Sequence, residues 1–212
     1  MHLYFYPVST YSQKALIALY EKGIRFTPHH VNLADPQARA EYKKLYPLGK
    51  VPLLVDEDRT IPESSILIEY IDQRFEAAPR LIPSDPESAR RVRFHDRMFD
   101  LYLNEPALKV FFDGRKPPEK RDAEVVARAK ETIDVLYQYM DGHFAKNTWA
   151  YGDSFSLADC AAAPPLALLQ SQQPFAKYER VTAYWNRLAE RPSVARVLAE
   201  TKAFLDAAAS SK

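Results

Sequence analysis

Residues 48–54 have the sequence Leu-Gly-Lys-Val-Pro-Leu-Leu, and residues 61–66 have the sequence Ile-Pro-Glu-Ser-Ser-Ile. The apolar residues on either side of the acidic residues 56–58 predict two short strands joined by a reverse turn. Pro52 has no amide hydrogen to donate to a neighbouring strand, so it has to lie at the start of a strand or in a special turn. Ser64 directly follows the second strand and predicts the beginning of a helix. The segment therefore predicts a β-hairpin that leads into a helix.

The residues before this hairpin alternate short apolar runs with segments of helical period, a pattern typical of βα units. Residues 3–6 predict a first strand, and the helix after it ends at Gly23, which tolerates the left-handed conformation. Residues 25–31 predict a second strand, and Asp35-Pro36 marks the start of a second helix. We therefore expect the order βαβαββα in the amino-terminal part of the chain.

A proline-containing segment separates this part from the rest of the chain. Residues 76–88 follow neither apolar pattern and have the composition of a linker. Beyond them every strong pattern is helical, and the longest run consists of Val126, Ala129, Ile133, Leu136, Tyr137, Met140 and Phe144. We predict an α/β domain over residues 1–77, a linker over residues 78–88 and an all-helical domain over residues 89–212.

Helix starts are well marked in the second domain. Ser156 is followed three residues later by Asp159, which predicts a capping box, and Phe155 is placed to contact Cys160 as a hydrophobic staple. Residues 192–193 end one predicted helix and begin the last one. These signals support an all-helical carboxy-terminal half.

The composition excludes several functional classes. The chain carries 29 Lys and Arg against 28 Asp and Glu, a formal net charge of +1, so no strong field attracts nucleic acid or an anionic membrane. The single cysteine, Cys160, excludes an internal disulfide, a CxxC redox pair and a cysteine-based zinc site, and we expect it in the core. His29 and His30 lack spaced ligand partners, so we expect no metal site. Because the sequence shows neither a signal peptide nor a long apolar run, we expect a cytoplasmic protein.

Two features of the first domain resemble the cytosolic glutathione transferase family. Residues 48–54 and 61–66 together are similar to the family's signature G-x-V-P-x-L followed by E-S-x-A/I-I. Residues 6–12, Tyr-Pro-Val-Ser-Thr-Tyr-Ser, lie at the first strand-to-helix turn, where family members keep their catalytic hydroxyl or thiol. The resemblance implies a thioredoxin-like amino-terminal domain that binds glutathione, an all-helical domain that supplies a pocket for a small apolar electrophile, and glutathione S-transferase activity.

The same resemblance implies a place for each part of glutathione. A cis bond between Val51 and Pro52 would leave the backbone of Val51 free to pair with the extended cysteinyl part. Ser64 and the first amides of the third helix would bind the γ-glutamyl carboxylate, and Glu63 would hold the ammonium. An ordinary helix cap is the alternative role for Ser64. The cations available for the glycyl carboxylate are Lys50 and, as a second candidate, Arg39, for which a solvated surface charge is the favoured alternative.

The turn after the first strand is expected to activate the thiol. A free thiol has a pKa of about 8.5, and both a hydroxyl donor and a helix N-terminus stabilise its thiolate. The residue pattern is similar to that of phi- and theta-like members, including bacterial ones, and points to Ser9. Thr10 and Tyr11 stay candidates; Tyr11 occupies the place of the cysteine in beta-like members, while Ser12 is expected to be structural. The alternative role for Ser9 or Thr10 is a helix cap.

The second domain is expected to line the electrophile pocket. Its aromatic segment supplies the candidates Tyr102, Phe111 and Phe112, of which one or two are expected to reach the pocket; packing in the core is the favoured alternative for each one singly. Pro106 is expected to kink the helix that carries them. The resemblance further implies a homodimer with an isologous apolar patch on the third and fourth helices. Rival functions are a non-catalytic binding or regulatory protein, and a glutathione-dependent isomerase, dehalogenase or reductase; the reductase usually needs a cysteine at the active turn, and residues 9–12 contain none.

Overall fold

The structure is a computed structural model that describes residues 1–210. The chain folds into two compact units. The first unit consists of Met1–Leu81 together with the segment that begins at Pro192, and the second consists of Ile82–Arg191. The last helix therefore belongs to the amino-terminal unit, whereas the sequence assigned all of residues 89–212 to the helical domain.

The first unit has the predicted order βαβαββα and adds a carboxy-terminal helix. Its elements are β1 (His2–Phe5), α1 (Thr10–Glu21), β2 (Thr27–His30), α2 (Pro36–Leu45), β3 (Leu53–Asp56), β4 (Arg59–Pro62), α3 (Ser64–Arg74) and, after the second unit, α9 (Pro192–Ser210). The second strand is shorter than the predicted 25–31, and Ile24 is buried just before it. This mixed sheet with its helices, followed by an all-helical unit, confirms the predicted fold class.

The sheet register brings three chain segments to one edge. The strand order is β2-β1-β3-β4, with β1 parallel to β2 and antiparallel to β3, and β3 antiparallel to β4. Tyr4 pairs with Leu53, and Leu53 pairs with Pro62. The end of β1, the start of β3 and the end of β4 therefore lie side by side, and the segments that adjoin these strand ends carry the predicted residues Ser9, Val51 and Ser64.

The last helix is held on α1 by side-chain hydrogen bonds. The Gln13 side chain donates to the Thr201 hydroxyl at 3.1 Å and to the Pro7 carbonyl at 3.0 Å. About two helical turns further along α1, the Tyr20 hydroxyl donates to Glu200 at 2.8 Å. Burial and this hydrogen bond raise the pKa of Tyr20 to about 12, so the phenol keeps the proton that it donates. These contacts explain why α9 belongs with the first unit.

The second unit is entirely helical. Its helices are α4 (Pro86–Phe99), α5 (Glu105–Gly114), α6 (Ala123–His143), α7 (Leu157–Gln172) and α8 (Glu179–Glu190), with a short 3₁₀ turn at Pro118–Lys120. A π-helical turn, Asp100–Asn104, joins α4 to α5. Pro106 lies in the first turn of α5, where the amide hydrogen that proline lacks would have no α-helical hydrogen bond to make. The predicted irregularity at Pro106 is therefore the boundary between a π turn and a new α-helix.

The start of α7 has the capping box predicted from the sequence. The Asp159 carboxylate is fully buried and accepts four hydrogen bonds, from the Ser156 amide and hydroxyl (both 2.9 Å), the Ala150 amide (2.8 Å) and the Tyr184 hydroxyl (2.7 Å). Burial raises the pKa of Asp159 to about 6, and the four donors oppose that rise. One carboxylate thus links the helix start to α8 and to the preceding loop.

Cys160 is buried beside this cap, as predicted. Within residues 1–210, no helix combines the length and the apolar character needed to cross a lipid bilayer.

Candidate functional site

The turn between β1 and α1 presents hydroxyl groups at a helix N-terminus. Ser9 is the N-cap of α1, and its Oγ accepts a long hydrogen bond of 3.4 Å from the Ser12 amide. The Ser12 hydroxyl is buried and accepts from the Tyr6 amide at 3.3 Å, which fits the structural role predicted for it. Because Ser9 is only half-buried and uses its oxygen as an acceptor, its hydroxyl proton stays available for a ligand.

Thr10 and Tyr11 flank this cap on the helix side. Thr10 is 4% exposed, and its Oγ1 has no hydrogen-bond partner among residues 1–210. A buried polar atom without a partner is uncommon in folded proteins, which marks this hydroxyl as a candidate ligand contact. Tyr11 is half-buried at the same turn.

The start of β3 lies beside the end of β1 and the end of β4. The Val51–Pro52 peptide bond is cis, as the family resemblance implies, and Val51 lies just before the first paired residue of the strand, Leu53. The Tyr42 hydroxyl donates to the Lys50 carbonyl at 2.6 Å and so fixes the backbone that precedes Val51. The Lys50 side chain is exposed next to it.

The junction of β4 and α3 combines an uncapped helix with a strained residue. Glu63 has φ 67° and ψ 123°, a conformation that an L-residue with a long side chain rarely adopts, and it makes no capping hydrogen bond with its side chain. Ser64 is the first residue of α3 and is buried. The Glu63 side chain therefore does not cap α3, and the partial positive charge of the helix N-terminus favours an anion at this position.

The electrostatics at this junction come from Glu63 and the nearby phenol. Burial and the Glu63 carboxylate raise the pKa of Tyr46, so its hydroxyl remains a neutral donor close to the exposed Glu63 side chain. Within residues 1–210, no group of three or more His, Cys, Asp or Glu side chains is arranged to hold a metal ion.

Sequence comparison identifies two domains that match the geometry. Residues 3–79 match the family "Glutathione S-transferase, N-terminal domain", and residues 103–192 match "Glutathione S-transferase, C-terminal domain". The chain belongs to the cytosolic glutathione S-transferase family. The turn after β1, the start of β3 and the start of α3, all placed at one sheet edge by the register, are the positions at which the family signature occurs.

Individual relatives carry two kinds of name. Glutathione S-transferase F10 of Arabidopsis thaliana is 28% identical over 211 residues, which cover 92% of this chain and 94% of that protein. Stringent starvation protein A homolog of Coxiella burnetii is 32% identical over 167 residues, 78% of this chain and 74% of that protein. Among solved structures, a glutathione S-transferase of Methylobacillus flagellatus with GSH bound is 28% identical, with a TM-score of 0.83 and coverage of 92% of this chain and 98% of that one.

Four of the predicted site residues lie on helices and not at the strand ends. Arg39 is exposed on α2. Tyr102 and Phe112 are exposed in the helical unit, and the Phe111 ring is covered by the Arg115 guanidinium at 3.4 Å. The roles given to these four residues stay predictions.

Three further residues of the site carried no recognisable signal in the sequence. Tyr42 fixes the Lys50 carbonyl, Tyr46 lies near Glu63, and Lys14 donates to the Ser65 hydroxyl at 2.9 Å. Tyr42 is buried on α2, and the partner of its hydroxyl depends on the path of the loop that follows this helix. A buried lysine in particular contradicts the usual exposure of this residue type.

Proposed function

We propose that this chain is a glutathione transferase that binds glutathione at the edge formed by β1, β3 and β4 and activates its thiol for attack on an apolar electrophile. The observation that carries the proposal is the sheet register, which sets Ser9, Val51 and Ser64 at the turns of three neighbouring strand ends. A short extended peptide with a thiol at its centre and a carboxylate at its head matches this arrangement. Family membership supports the same activity.

In the proposed complex the backbone of Val51 pairs with the cysteinyl residue as an added strand. The γ-glutamyl carboxylate accepts hydrogen bonds from the Ser64 hydroxyl and the first amides of α3, and Glu63 binds the ammonium beside it. The strain at Glu63 supports this role, because strained backbone is commonly retained where it positions a ligand group. Lys50 is proposed to bind the glycyl carboxylate, and Arg39 is the second candidate.

The proposed reaction begins with the loss of the thiol proton to solvent. The Ser9 hydroxyl donates a hydrogen bond to the thiolate, and the N-terminus of α1 adds partial positive charge. The thiolate attacks the electrophilic carbon, a sulfur–carbon bond forms, and the leaving group departs with the electron pair of its broken bond. Because the electrophile is held next to the sulfur, the attack becomes effectively unimolecular. Tyr102, Phe111 and Phe112 are proposed as apolar contacts for the electrophile.

The active form is proposed to be a cytoplasmic homodimer. Ile66 on α3 and Phe94 on α4 each expose about half of their surface, as apolar residues of a homodimer interface would in the free chain. Analytical ultracentrifugation should give twice the mass of the chain, and Phe94→Glu should shift the protein towards the monomer.

Thiolate absorbance tests the proposed chemistry directly. The ultraviolet absorbance of bound glutathione, titrated with pH, should show a thiol pKa below the free value of about 8.5. The same preparation should conjugate glutathione to a dinitrophenyl halide. If glutathione binds with an unchanged thiol pKa, the proposed activation is wrong.

A second candidate function is a regulatory or partner-binding protein that keeps the fold. The observation in its favour is the similarity to a protein named stringent starvation protein A homolog over 78% of this chain. Failure to bind immobilised glutathione would favour this candidate, whereas binding with turnover would exclude it as the main function.

A further inference from the structure

The segment that carries Ser9 is a hydrogen-bonded turn. The Ser9 amide donates to the Tyr6 carbonyl at 2.9 Å, which closes a turn over residues 6–9 with Pro7 and Val8 at its two central positions. The Pro7 carbonyl belongs to the central peptide group of this turn, and the common types of β-turn differ mainly in how that group is rotated. A contact that holds the Pro7 carbonyl therefore holds the turn, and with it the direction in which Ser9 enters α1.

Two side chains hold the Pro7 carbonyl. The Gln13 Nε2 donates to it at 3.0 Å, and the Thr201 hydroxyl donates to it at 3.2 Å. Gln13 Nε2 also donates to the Thr201 hydroxyl oxygen at 3.1 Å. In this closed triangle the amide uses both of its hydrogens, the hydroxyl uses its single hydrogen, and the carbonyl accepts at both of its lone pairs. The central peptide group of the turn is thereby fixed from two sides.

The two side chains belong to opposite ends of the sequence. Gln13 is buried on α1, and its backbone amide donates to the Ser9 carbonyl at 2.9 Å. Thr201 lies on α9, and Phe204, about one helical turn further on, packs edge-on against the Tyr6 ring with 5.5 Å between the ring centroids. The last helix therefore contacts the turn directly, through its first two residues.

The proposed role of the Ser9 hydroxyl makes its position important. A hydrogen bond weakens steeply as its angle departs from a straight line, so a donor stabilises a thiolate only from the right direction. Displacing a reacting group by about 1 Å can cost about a hundredfold in rate. The Ser9 hydroxyl itself accepts only one long bond, of 3.4 Å, so its position depends mainly on the backbone that carries it.

We propose that Thr201 and Gln13 are positioning residues of the glutathione site: together they hold the Pro7 carbonyl and so fix the turn from which Ser9 presents its hydroxyl to the thiolate. This inference rests on the proposed function, since it assigns a role in the proposed thiol activation to the last helix. Neither side chain is proposed to touch glutathione.

The test combines the thiol pKa of bound glutathione with the pH profile of kcat/KM. Thr201→Val and Gln13→Met each remove donors to the Pro7 carbonyl, so each should raise that pKa and lower kcat/KM at about pH 7 by about threefold to tenfold. The loss should shrink towards about pH 9.5, because above the free value of about 8.5 the thiolate forms without help. At about pH 5.5, where the bound thiol keeps its proton, the Kd for glutathione should change less than about twofold.

Two variants serve as controls. Thr201→Ser keeps the hydroxyl and should stay within about twofold of the wild-type kcat/KM. Tyr20→Phe breaks the other hydrogen bond between the same two helices, from the Tyr20 hydroxyl to Glu200, and keeps the ring that the Arg196 guanidinium covers at 3.8 Å. It should lower the melting temperature about as much as Thr201→Val does and leave the thiol pKa and kcat/KM unchanged.

The results that contradict the inference are specific. If Tyr20→Phe raises the thiol pKa as much as Thr201→Val does, α9 acts only by general stabilisation and the inference is wrong. An unchanged pH profile in Thr201→Val overturns it as well, and if that variant does not fold, an unchanged profile in Gln13→Met does so. Wild-type protein that does not bind glutathione, or binds it without lowering its thiol pKa, would instead overturn the proposed function, and the inference with it.

Discussion

The helices α7 and α1 each have a serine as the N-cap, Ser156 and Ser9, and the two helix starts are built in opposite ways. At α7 the cap is buried, and the Asp159 carboxylate accepts four hydrogen bonds from the residues around it. At α1 the cap is half-buried, and the Ser9 hydroxyl accepts one hydrogen bond of 3.4 Å. The start of α7 uses its polar groups for stability, and we propose that the start of α1 leaves its hydroxyl groups for a ligand.

The start of α3 extends this comparison. Glu63 gives α3 no side-chain cap and has a strained backbone, so the helix begins without the stabilisation that Ser156 gives to α7. Such a start is costly unless a ligand compensates for it. A helix end that the chain leaves open is therefore an indication of a binding site, provided that a second feature such as the sheet register places other polar groups beside it.

The largest effect on stability is expected at the buried cap of α7. Asp159→Ala removes the acceptor of four donors, several of them buried, and should lower the free energy of unfolding by about 3–5 kcal/mol. Urea denaturation measures this loss. Asp122→Ala is the control, because Asp122 caps α6 through two bonds at the surface, and its loss should be clearly smaller. If the free energy of unfolding falls equally in the two variants, the buried cap of α7 is no more stabilising than an exposed cap, and the comparison fails.

Ser9→Ala should affect chemistry more than stability. Loss of the hydroxyl donor should raise the pKa of the thiol of bound glutathione. Because each pKa unit lowers the thiolate fraction about tenfold, kcat/KM near neutral pH should fall by about tenfold to a hundredfold. The free energy of unfolding should fall by about 1 kcal/mol at most. Thr10→Val is the companion variant: if it causes the larger loss of activity, the reactive hydroxyl belongs to Thr10 and the assignment to Ser9 is wrong.

Glu63→Gln should have a smaller effect, confined to binding. The Glu63 side chain is exposed, and exposed charge pairs contribute little, so we expect the Kd for glutathione to rise about twofold to fivefold. The melting temperature should not change, because the side chain makes no capping bond. Calorimetric titration measures the Kd, and Glu57→Gln, at another residue with positive φ, is the control without effect on binding.

The smallest effect is expected on the pH dependence of stability, through two histidines of the helical unit. His95 and His143 lie with ring centroids 4.8 Å apart, and burial lowers the pKa of each imidazole. The unfolded chain binds these protons near a pH of about 6.5, above the pKa values of the folded state, so stability falls as the pH falls below about 6.5. His95→Phe should reduce the difference in unfolding free energy between about pH 7.5 and about pH 5.5. Unchanged pH dependence would exclude His95 as a contributor.

The sequence predicted the parts of the fold that depend on local pattern. Strand alternation and helical period give the order βαβαββα, and the spacing of Ser156 and Asp159 gives the capping box, because both depend on residues a few positions apart. The two prolines inside α7, Pro164 and Pro165, show the limit of such reasoning. By local preference they end a helix, and here the helix continues through them within a buried environment.

The residues of the candidate site also differ in whether a local pattern could predict them. Ser9, Val51 and Ser64 could be proposed from motifs, whereas Lys14 and Tyr42 could not, because their partners are 51 and 8 residues away and depend on how α1, α2 and α3 meet. The strain at Glu63 likewise has no sequence signal, since glutamate does not favour positive φ.

By itself the sequence determined the order of elements in the first domain, the helical character of the second and the starts of several helices, since periodicity and capping residues act over one or two turns. Only the tertiary structure decided that α9 belongs with the first unit, that Lys14 is buried beneath the start of α3, and that three separate turns share one sheet edge. Those outcomes depend on which surfaces meet across long stretches of chain, and the free energy that selects them comes from burial and hydrogen bonds that no local pattern encodes.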